Sequence, residues 1–443
     1  MYQLYPYFTN DGSVGLYSES DNDIYHSTYG ALTEAYEKFI LPAEPEYYIS
    51  KYNEIKILDI CYGIGYNSKS FLNFYLKNFL INKNIATIHT NKNISSKYND
   101  KIYTNNNLQD RSPICNDEVY TNNNSCINSA CSKSEKQNFK IYIKAIDTDK
   151  ILAFLSPFVI CNKKNIPRNY KLPFTNEKIS KMLNKPTKNK IEFLDEINVI
   201  FFEKIAEKYS EIFKNEDIKE ILKSKKYSHF FEPFICRLFE MKQSQIYKYS
   251  PSRYLSTFLH NIYYRHVSNR YKKAVNSPIF NNFIFDLKIE DARKELMHDS
   301  NRYNLIFLDA FTPAKCPALW SIDFFKVLFE HLEENGKILT YSNSAAVRNA
   351  FLNAGFYVGK IYNESSNKYM GTIATKNKNL IKHKLSDYDL GLLKTKAGIY
   401  YRDENLTADN DKIIALHKIE VENSNLISSS RYIKTHNKLT EDL

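Results

Sequence analysis

Ile55-Lys-Ile-Leu-Asp-Ile60 runs directly into Cys61-Tyr-Gly-Ile-Gly-Tyr-Asn67, and this junction decides the fold. The first part is a short apolar run of strand length. The second places two glycines, Gly63 and Gly65, in one turn. From Ser68 to Leu80 the apolar residues Phe71, Leu72, Tyr75, Leu76 and Phe79 then fall at helical spacing. With only 11 Gly in 443 residues, two in a single turn are conspicuous. The reading is strand, glycine turn, helix.

The pattern recurs further along the chain. Lys140-Ile-Tyr-Ile-Lys-Ala-Ile-Asp147 is a second strand ending in an acid. Asn282–Lys288 is a third, leading through Ile289-Glu-Asp-Ala-Arg293 into a short helix. Tyr303-Asn-Leu-Ile-Phe-Leu-Asp309 is the most apolar strand, again closed by a carboxylate. A helix over Ser321–Glu334, a strand over Gly336–Tyr341, a helix over Ala345–Ala354 and strands over Phe356–Ile361 and Tyr369–Thr375 complete the series. Apolar strands alternating with helices predict a mostly parallel sheet covered on both faces. The last two strands are joined by a short link and predict an antiparallel pair at one edge. The expected class is α/β: a Rossmann-like sheet of about seven strands with an antiparallel edge strand, plus a largely helical insertion. Residues 1–40 read as polar and turn-rich, becoming helical from Gly30 to about Leu41.

Two stretches interrupt the series. Residues 82–138 are Asn/Ser-rich with few apolar clusters, which predicts a flexible insertion. Residues 159–281 read as mostly helical, with candidate helices at Ile191–Phe213, Asp217–Leu222, Phe230–Met241 and Tyr254–Tyr271. That segment holds 24 Lys/Arg against 12 Asp/Glu, whereas the remainder holds 37 against 38, so it carries the whole surplus of the +11 net charge. Such an imbalance suits a polyanionic partner, although lysine-rich solvated helices read the same way. The expected organisation is 1–81 as the first part of the core, 82–138 as an Asn-rich insertion, 139–158 as core, 159–281 as a basic insertion, 282–378 as the second part of the core and 379–443 as a C-terminal extension.

Composition narrows the function. Hydrophobic residues at 43% and charged ones at 25% allow a sizeable core. Seven scattered cysteines without a Cys-x-x-Cys argue against a disulfide framework or a zinc ribbon and fit a reducing cytoplasm. No long apolar span and no signal-like start are seen, so neither membrane nor export is expected.

In such a sheet, ligands sit at the carboxyl ends of the strands. A dinucleotide fingerprint, Gly-x-Gly-x-x-Gly, fails here because position 61 is Cys and position 68 is Ser. Instead Asp59 precedes Gly63, Gly65 and Asn67, as suits a ligand with a cationic amine and no pyrophosphate, such as S-adenosyl-L-methionine. Asp147 is placed to accept from ribose hydroxyls, and Asp291, followed by Ala292, from an adenine amino group. Any one of these acids alone reads more readily as a solvated strand end; all three in register with the Gly-x-Gly turn point to a methyltransferase-type site. No second glycine-rich loop exists, which excludes a separate flavin domain.

These residues resemble the methyltransferase domain of the MnmC family, which makes the 5-methylaminomethyl group on wobble uridine of certain bacterial tRNAs. Thr9-Asn-Asp-Gly-Ser13 and Tyr25-His-Ser-Thr-Tyr-Gly30-Ala-Leu-Thr-Glu34 are similar to its leading motifs. Asp59–Asn67 resembles its Glu-x-Gly-Phe-Gly-Thr-Gly-x-Asn turn, with Cys61 for the first Gly. Leu308-Asp-Ala-Phe-Thr-Pro-Ala-Lys-Cys-Pro-Ala-Leu-Trp320 resembles its Asp-Ala-Phe-x-Pro-x-Lys-x-Pro-x-x-Trp motif, and Leu339–Arg348 with Ala354–Gly359 the strand and helix that follow. Leu392–Asp403 is similar to extensions on some stand-alone members. Where the family has a Gly-Arg-Lys-Arg-like stretch, Ser365-Ser-Asn-Lys-Tyr-Met370 keeps only Lys368.

The resemblance implies a class I methyltransferase using S-adenosyl-L-methionine on tRNA, at the anticodon region, without the FAD-dependent oxidoreductase half. An aminomethyl substrate would then come from another route. It implies Asp309 beside the acceptor as catalytic base, with Phe311, Lys315, Trp320 and Lys368 toward the substrate. It also implies Tyr25, His26, Ser27 and Glu34 toward the cofactor. Ser27 or Thr28 reads equally as a helix cap, Phe311 equally as core, and Trp320 more readily as core packed under the loop. Two alternatives stay open: a methyltransferase for another amine or hydroxyl, and a non-catalytic RNA-binding protein on a degenerate scaffold.

Overall fold

The computed structural model describes residues 4–18, 23–24, 28–81, 139–163, 166, 172, 181–183, 191–246, 269–364 and 366–436. Seven strands form the main sheet: β4 (Glu54–Ile60), β5 (Lys140–Asp147), β6 (Phe283–Ile289), β7 (Tyr303–Leu308), β8 (Leu332–Thr340), β9 (Tyr357–Asn363) and β10 (Lys368–Thr375). Their order is β6-β5-β4-β7-β8-β10-β9. The first five run parallel, and β10 runs antiparallel to both β8 and β9, so the reversed strand sits inside the edge pair. The chain order reverses beside β4, between β5 and β7, which is where such sheets bind ligands.

Alternation along each strand divides the core in two. Ile55, Ile57, Ile141, Ile143, Phe283, Phe285, Leu305 and Phe307 point to one face. Leu58, Ile60, Ile146, Ile306, Leu308 and Ile338 point to the other. The first face is covered by α1 (Ala31–Ala35, continuing through Ile40 to Ala43), α2 (Tyr66–Tyr75), α3 (Lys150–Leu155) and α4 (Glu196–Lys208). The second is covered by α5 (Ala292–Met297), α6 (Ile322–His331) and α7 (Ala345–Asn353).

Two features differ from the sequence reading. The polar N-terminal stretch forms a small antiparallel sheet, β1 (Leu4–Phe8), β2 (Val14–Ser18) and β3 (Asp23–Ile24). The helix-rich segment has other helix bounds than expected, and it packs on the sheet, with Phe201 of α4 at 5.3 Å from Phe283 and 4.9 Å from Phe285, ring centre to ring centre. The observed helices there are Glu196–Lys208, Glu216–Lys223 and Pro233–Ile246, with Ile191–Leu194 non-helical. The expected insertion 82–138 and most of the expected Tyr254–Tyr271 helix lie outside the described residues. Among the described residues no helix is long and apolar enough to cross a membrane.

Candidate active site

The turn after β4 is held from two sides. The Cys61 and Tyr62 N–H groups donate to the Ile146 carbonyl at 3.0 and 3.1 Å, and the Asp309 N–H donates to the Ile60 carbonyl. Cys61, Gly63 and Gly65 all take positive φ, at 65°, 54° and 77°. Gly65 is required: a Cβ there would strike the Tyr62 hydroxyl, itself locked at 2.7 Å to Ser156 Oγ. Gly63 faces open space, so the backbone is free for a ligand to approach. Cys61 holds a left-handed conformation that glycine adopts more cheaply.

Above this turn opens a cavity of about 590 Å³. Gly63, Asn67, Asp147, Asp291, Ala292, Glu34, Asp309 and Phe311 all line it, so the structure gathers eight of the sequence candidates. Asp147 closes the turn by accepting from the Gly63 N–H at 2.6 Å and from the Asp149 N–H at 2.8 Å. Burial pushes its carboxyl up to about 6, against those hydrogen bonds. Asp309 accepts from Asn67 Nδ2 at 3.1 Å, and burial again pushes its carboxyl up to about 6.

Asp59 does not line the cavity. It is fully buried beneath the turn, where Oδ2 accepts from Ser68 Oγ at 2.6 Å and Oδ1 has no protein partner. Burial pushes this carboxyl up to about 8. Its strand position explains the placement, because Asp59 shares parity with Ile55 and Ile57 and so points under α2. Asp291 lines the cavity but is already engaged. Its Oδ1 caps α5 at the Arg293 N–H (2.8 Å), and its Oδ2 pairs with Arg293 Nη2 (2.7 Å). Burial alone would raise this carboxyl, but the Arg293 contacts outweigh it and hold it below the usual range.

Trp320 is not a base-stacking surface. It is fully buried, donates from Nε1 to the Phe311 carbonyl at 2.7 Å and meets Tyr341 edge-on at 6.0 Å. Phe311, by contrast, is 37% exposed at the rim. Lys315 is exposed on the same loop, and Lys368 is exposed at the start of β10, away from the cavity lining. Gly65 supports the turn without lining it. Tyr25, His26 and Ser27 lie outside the described residues. The leading motif does help shape the site: Asp11 Oδ2 accepts from the Thr33 N–H at 2.8 Å, and Ser13 Oγ from the Ala31 N–H at 2.9 Å. Gly30, rather than Ser27 or Thr28, therefore occupies the cap position of α1, and the capping groups come from the β1–β2 turn.

The sequence reading missed Lys38, Tyr341, Cys316, Arg293 and Asn410. Lys38 Nζ pairs with Glu34 Oε1 at 2.7 Å and lies 5.8 Å from the Tyr341 ring centre, on the cavity wall. Its spacing of four from Glu34 on a helix was a usable signal. Cys61 and Cys316 also line the cavity, and burial, followed for Cys61 by Asp147, pushes both thiols up. Among the described residues no cluster of His, Cys, Asp or Glu could hold a metal ion.

Two carboxylates on the cavity wall beside one turn, Asp147 and Asp309, make a site that disfavours further negative charge and favours a cation. A sulfonium-bearing nucleoside fits that description, and a pyrophosphate does not.

The strand order, the glycine turn and the carboxylates at the strand ends are those of a Rossmann-like methyltransferase. Residues 256–377 match the family described as S-adenosyl-L-methionine-dependent methyltransferase. The crystal structure of MNMC2 from Aquifex aeolicus superposes with a TM-score of 0.50 and 16% identity, covering 95% of this chain and 86% of that one, a likeness of fold. The bifunctional MnmC protein for tRNA 5-methylaminomethyl-2-thiouridine biosynthesis from Burkholderia multivorans is 36% identical over 78 residues, 18% of this chain and 12% of that protein. An uncharacterized protein of Methanocaldococcus jannaschii is 32% identical over 154 residues, 34% of this chain and 43% of that one. The alignments span less than half the length of these curated relatives. The chain carries an MnmC-like methyltransferase domain.

Proposed function

We propose that this chain transfers a methyl group from S-adenosyl-L-methionine to the 5-aminomethyl group of wobble uridine in tRNA, in the cytoplasm. The observation that carries the reading is the shared cavity. Asp309, a carboxylate whose proton affinity burial has raised, opens onto the same space as the Gly63 turn and Asp147. When bound, the sulfonium supplies an activated methyl group, so the protein's tasks are orientation, exclusion of water and management of one proton. Asn67 holds Asp309 in place. The Asp309 carboxylate accepts a proton from the acceptor ammonium and so exposes the nitrogen lone pair. With the cofactor bound, the freed lone pair would take up the methyl group, the positive charge passing from sulfur to nitrogen. Phe311 at the rim offers a face for the base. The names of the MnmC relatives favour tRNA as acceptor.

The direct test combines the protein, S-adenosyl-L-methionine and tRNA carrying unmethylated aminomethyl-uridine, followed by mass analysis of the nucleosides. One added methyl on the wobble nucleoside is expected. A folded, cofactor-binding protein that adds none would move the reading to another amine or hydroxyl.

The basic segment is expected to hold the tRNA backbone. Lys214, Lys223, Lys225 and Lys226 are exposed on it. Changing all four to Glu should weaken tRNA binding at least tenfold and flatten the dependence of log affinity on log salt, with cofactor affinity unchanged. Equal tRNA affinity and slope in a filter-binding series would show that these lysines serve only as solvated surface.

A further inference from the structure

We propose that the C-terminal extension completes the nucleoside end of this cavity, with Asn410 donating an amide hydrogen to a ring nitrogen of a bound purine nucleoside. The proposal rests on the cofactor reading above and goes beyond the family match, which ends at residue 377.

Asn410 begins α8 (Asn410–Asn423) and lines the cavity with Asp291, Ala292, Cys316, Ala318 and Leu319. Apolar walls with a few polar edges are what a flat heterocycle needs. The Asn410 side chain is oriented by the core: its Oδ1 accepts from the Ala318 N–H at 3.2 Å, on the loop after β7. With the oxygen so used, the amide nitrogen is the donor that Asn410 brings to the cavity wall it shares with the Cys316 thiol, a weak acceptor. A ring nitrogen is a stronger acceptor than a thiol.

One guanidinium sets this arrangement. Arg293 Nη2 holds Asp291 at 2.7 Å, while Nη1 reaches Asp403 Oδ2 at 2.6 Å and the Ala408 carbonyl at 2.8 Å. Asp403 is buried, and its N–H donates to Asp323 Oδ2 at 2.8 Å. The Ile322 N–H donates to the Tyr401 carbonyl at 3.0 Å. Arg293 therefore ties a carboxylate on the cavity wall to the strap that carries Asn410, using the planar fork that Lys lacks. Asp403 is a positioning residue acting through Asn410.

The probe is S-adenosyl-L-homocysteine, measured by calorimetry on the full chain, together with its 1-deaza, 3-deaza and 7-deaza purine analogues. Asn410→Ala should weaken binding of the parent about tenfold, the size of one good hydrogen bond. Asn410→Asp keeps the oxygen that faces Ala318 and removes the donor, so it should weaken binding at least as much. One deaza analogue should bind the native protein more weakly by a similar factor yet bind Asn410→Ala like the parent. Asp403→Asn should weaken binding too, and the double variant should bind no worse than Asn410→Ala alone. Thermal melts without ligand confirm folded variants.

Parent-like affinity in folded Asn410→Ala overturns the proposal and leaves the cofactor reading intact. Losses equal for every analogue overturn the ring-nitrogen assignment, and additive losses in the double variant overturn the role of Asp403. A native protein that does not bind S-adenosyl-L-homocysteine overturns the cofactor reading and this proposal together.

Discussion

Replacing Asp309 with Ala should lower the rate of methyl transfer by about 10²- to 10⁴-fold, the range for loss of a positioned proton acceptor, while leaving the cofactor dissociation constant nearly unchanged. The separation of the two effects follows from geometry. The Gly63 turn is tied to Asp147 and to the Ile146 carbonyl, so the nucleoside cradle stands without the Asp309 carboxylate. Asn67, by contrast, is aimed at Asp309 and holds it for the acceptor. The pH dependence has a definite sign. Burial raises this carboxyl to about 6, so its proton-accepting form is lost below that value, and kcat/KM of the native enzyme should rise as pH passes upward through about 6. Because the native carboxyl titrates above its unfolded value, the native state binds more protons there, and stability falls as pH rises from about 4 to about 6. Asp309→Asn should therefore leave the unliganded protein at least as stable at pH 7 while abolishing turnover. Single-turnover rates and calorimetric affinities decide the matter, and native-like rates in Asp309→Ala would remove this residue from the mechanism.

Trp320→Ala should cost about 3–5 kcal/mol of stability, the range for truncating a fully buried aromatic. The ring belongs to the core on the α5–α7 face of the sheet, and its Nε1–H satisfies the Phe311 carbonyl. Truncation leaves a cavity and an unpaired carbonyl under the loop that carries Asp309 and Phe311. Trp320→Phe refills most of the volume, so its smaller loss isolates the hydrogen bond, about 1 kcal/mol. Because Trp320 is the only tryptophan, its fluorescence reports on this loop in the native protein, whereas the variants need circular dichroism in a denaturant series. Near-native stability combined with a large loss of tRNA affinity would return Trp320 to the substrate side.

Much of the sheet was legible because parallel strands buried on both faces are written as predominantly apolar runs, and Ile55–Ile60, Lys140–Asp147 and Tyr303–Asp309 are such runs. The N-terminal hairpin was not legible. Its strands are short, and Thr9-Asn-Asp-Gly-Ser13 between them reads as a polar turn when its neighbours in space are unknown. The acids show where a sequence stops informing. Asp59 and Asp309 both look like strand-end carboxylates. Asp59 lies inside β4 and obeys the pleat, which sends it into the layer beneath α2, whereas Asp309 stands one residue past β7 and is free to face the cavity. Parity does not separate them, because Asp59 lies opposite Phe307 and Asp309 shares the parity of Leu305 and Phe307; what separates them is where each strand ends. Nothing in the sequence could have placed Asn410, which reaches the site through contacts with residues about a hundred positions earlier.

The two long interruptions enter the sheet on the same side. Residues 82–138 lie between α2 and β5, and residues 159–281 between α3 and β6, so both precede the amino end of a strand. The connections leaving the carboxyl ends, 61–65, 148–149 and 290–291, are short and all contribute to the cavity wall. Closure entropy grows only with the logarithm of length, so a connection of roughly sixty residues in place of about four costs about 2 kcal/mol more. The 82–138 connection can therefore change length or charge at small thermodynamic expense while the opposite rim of the sheet, which carries the cavity, keeps its dimensions.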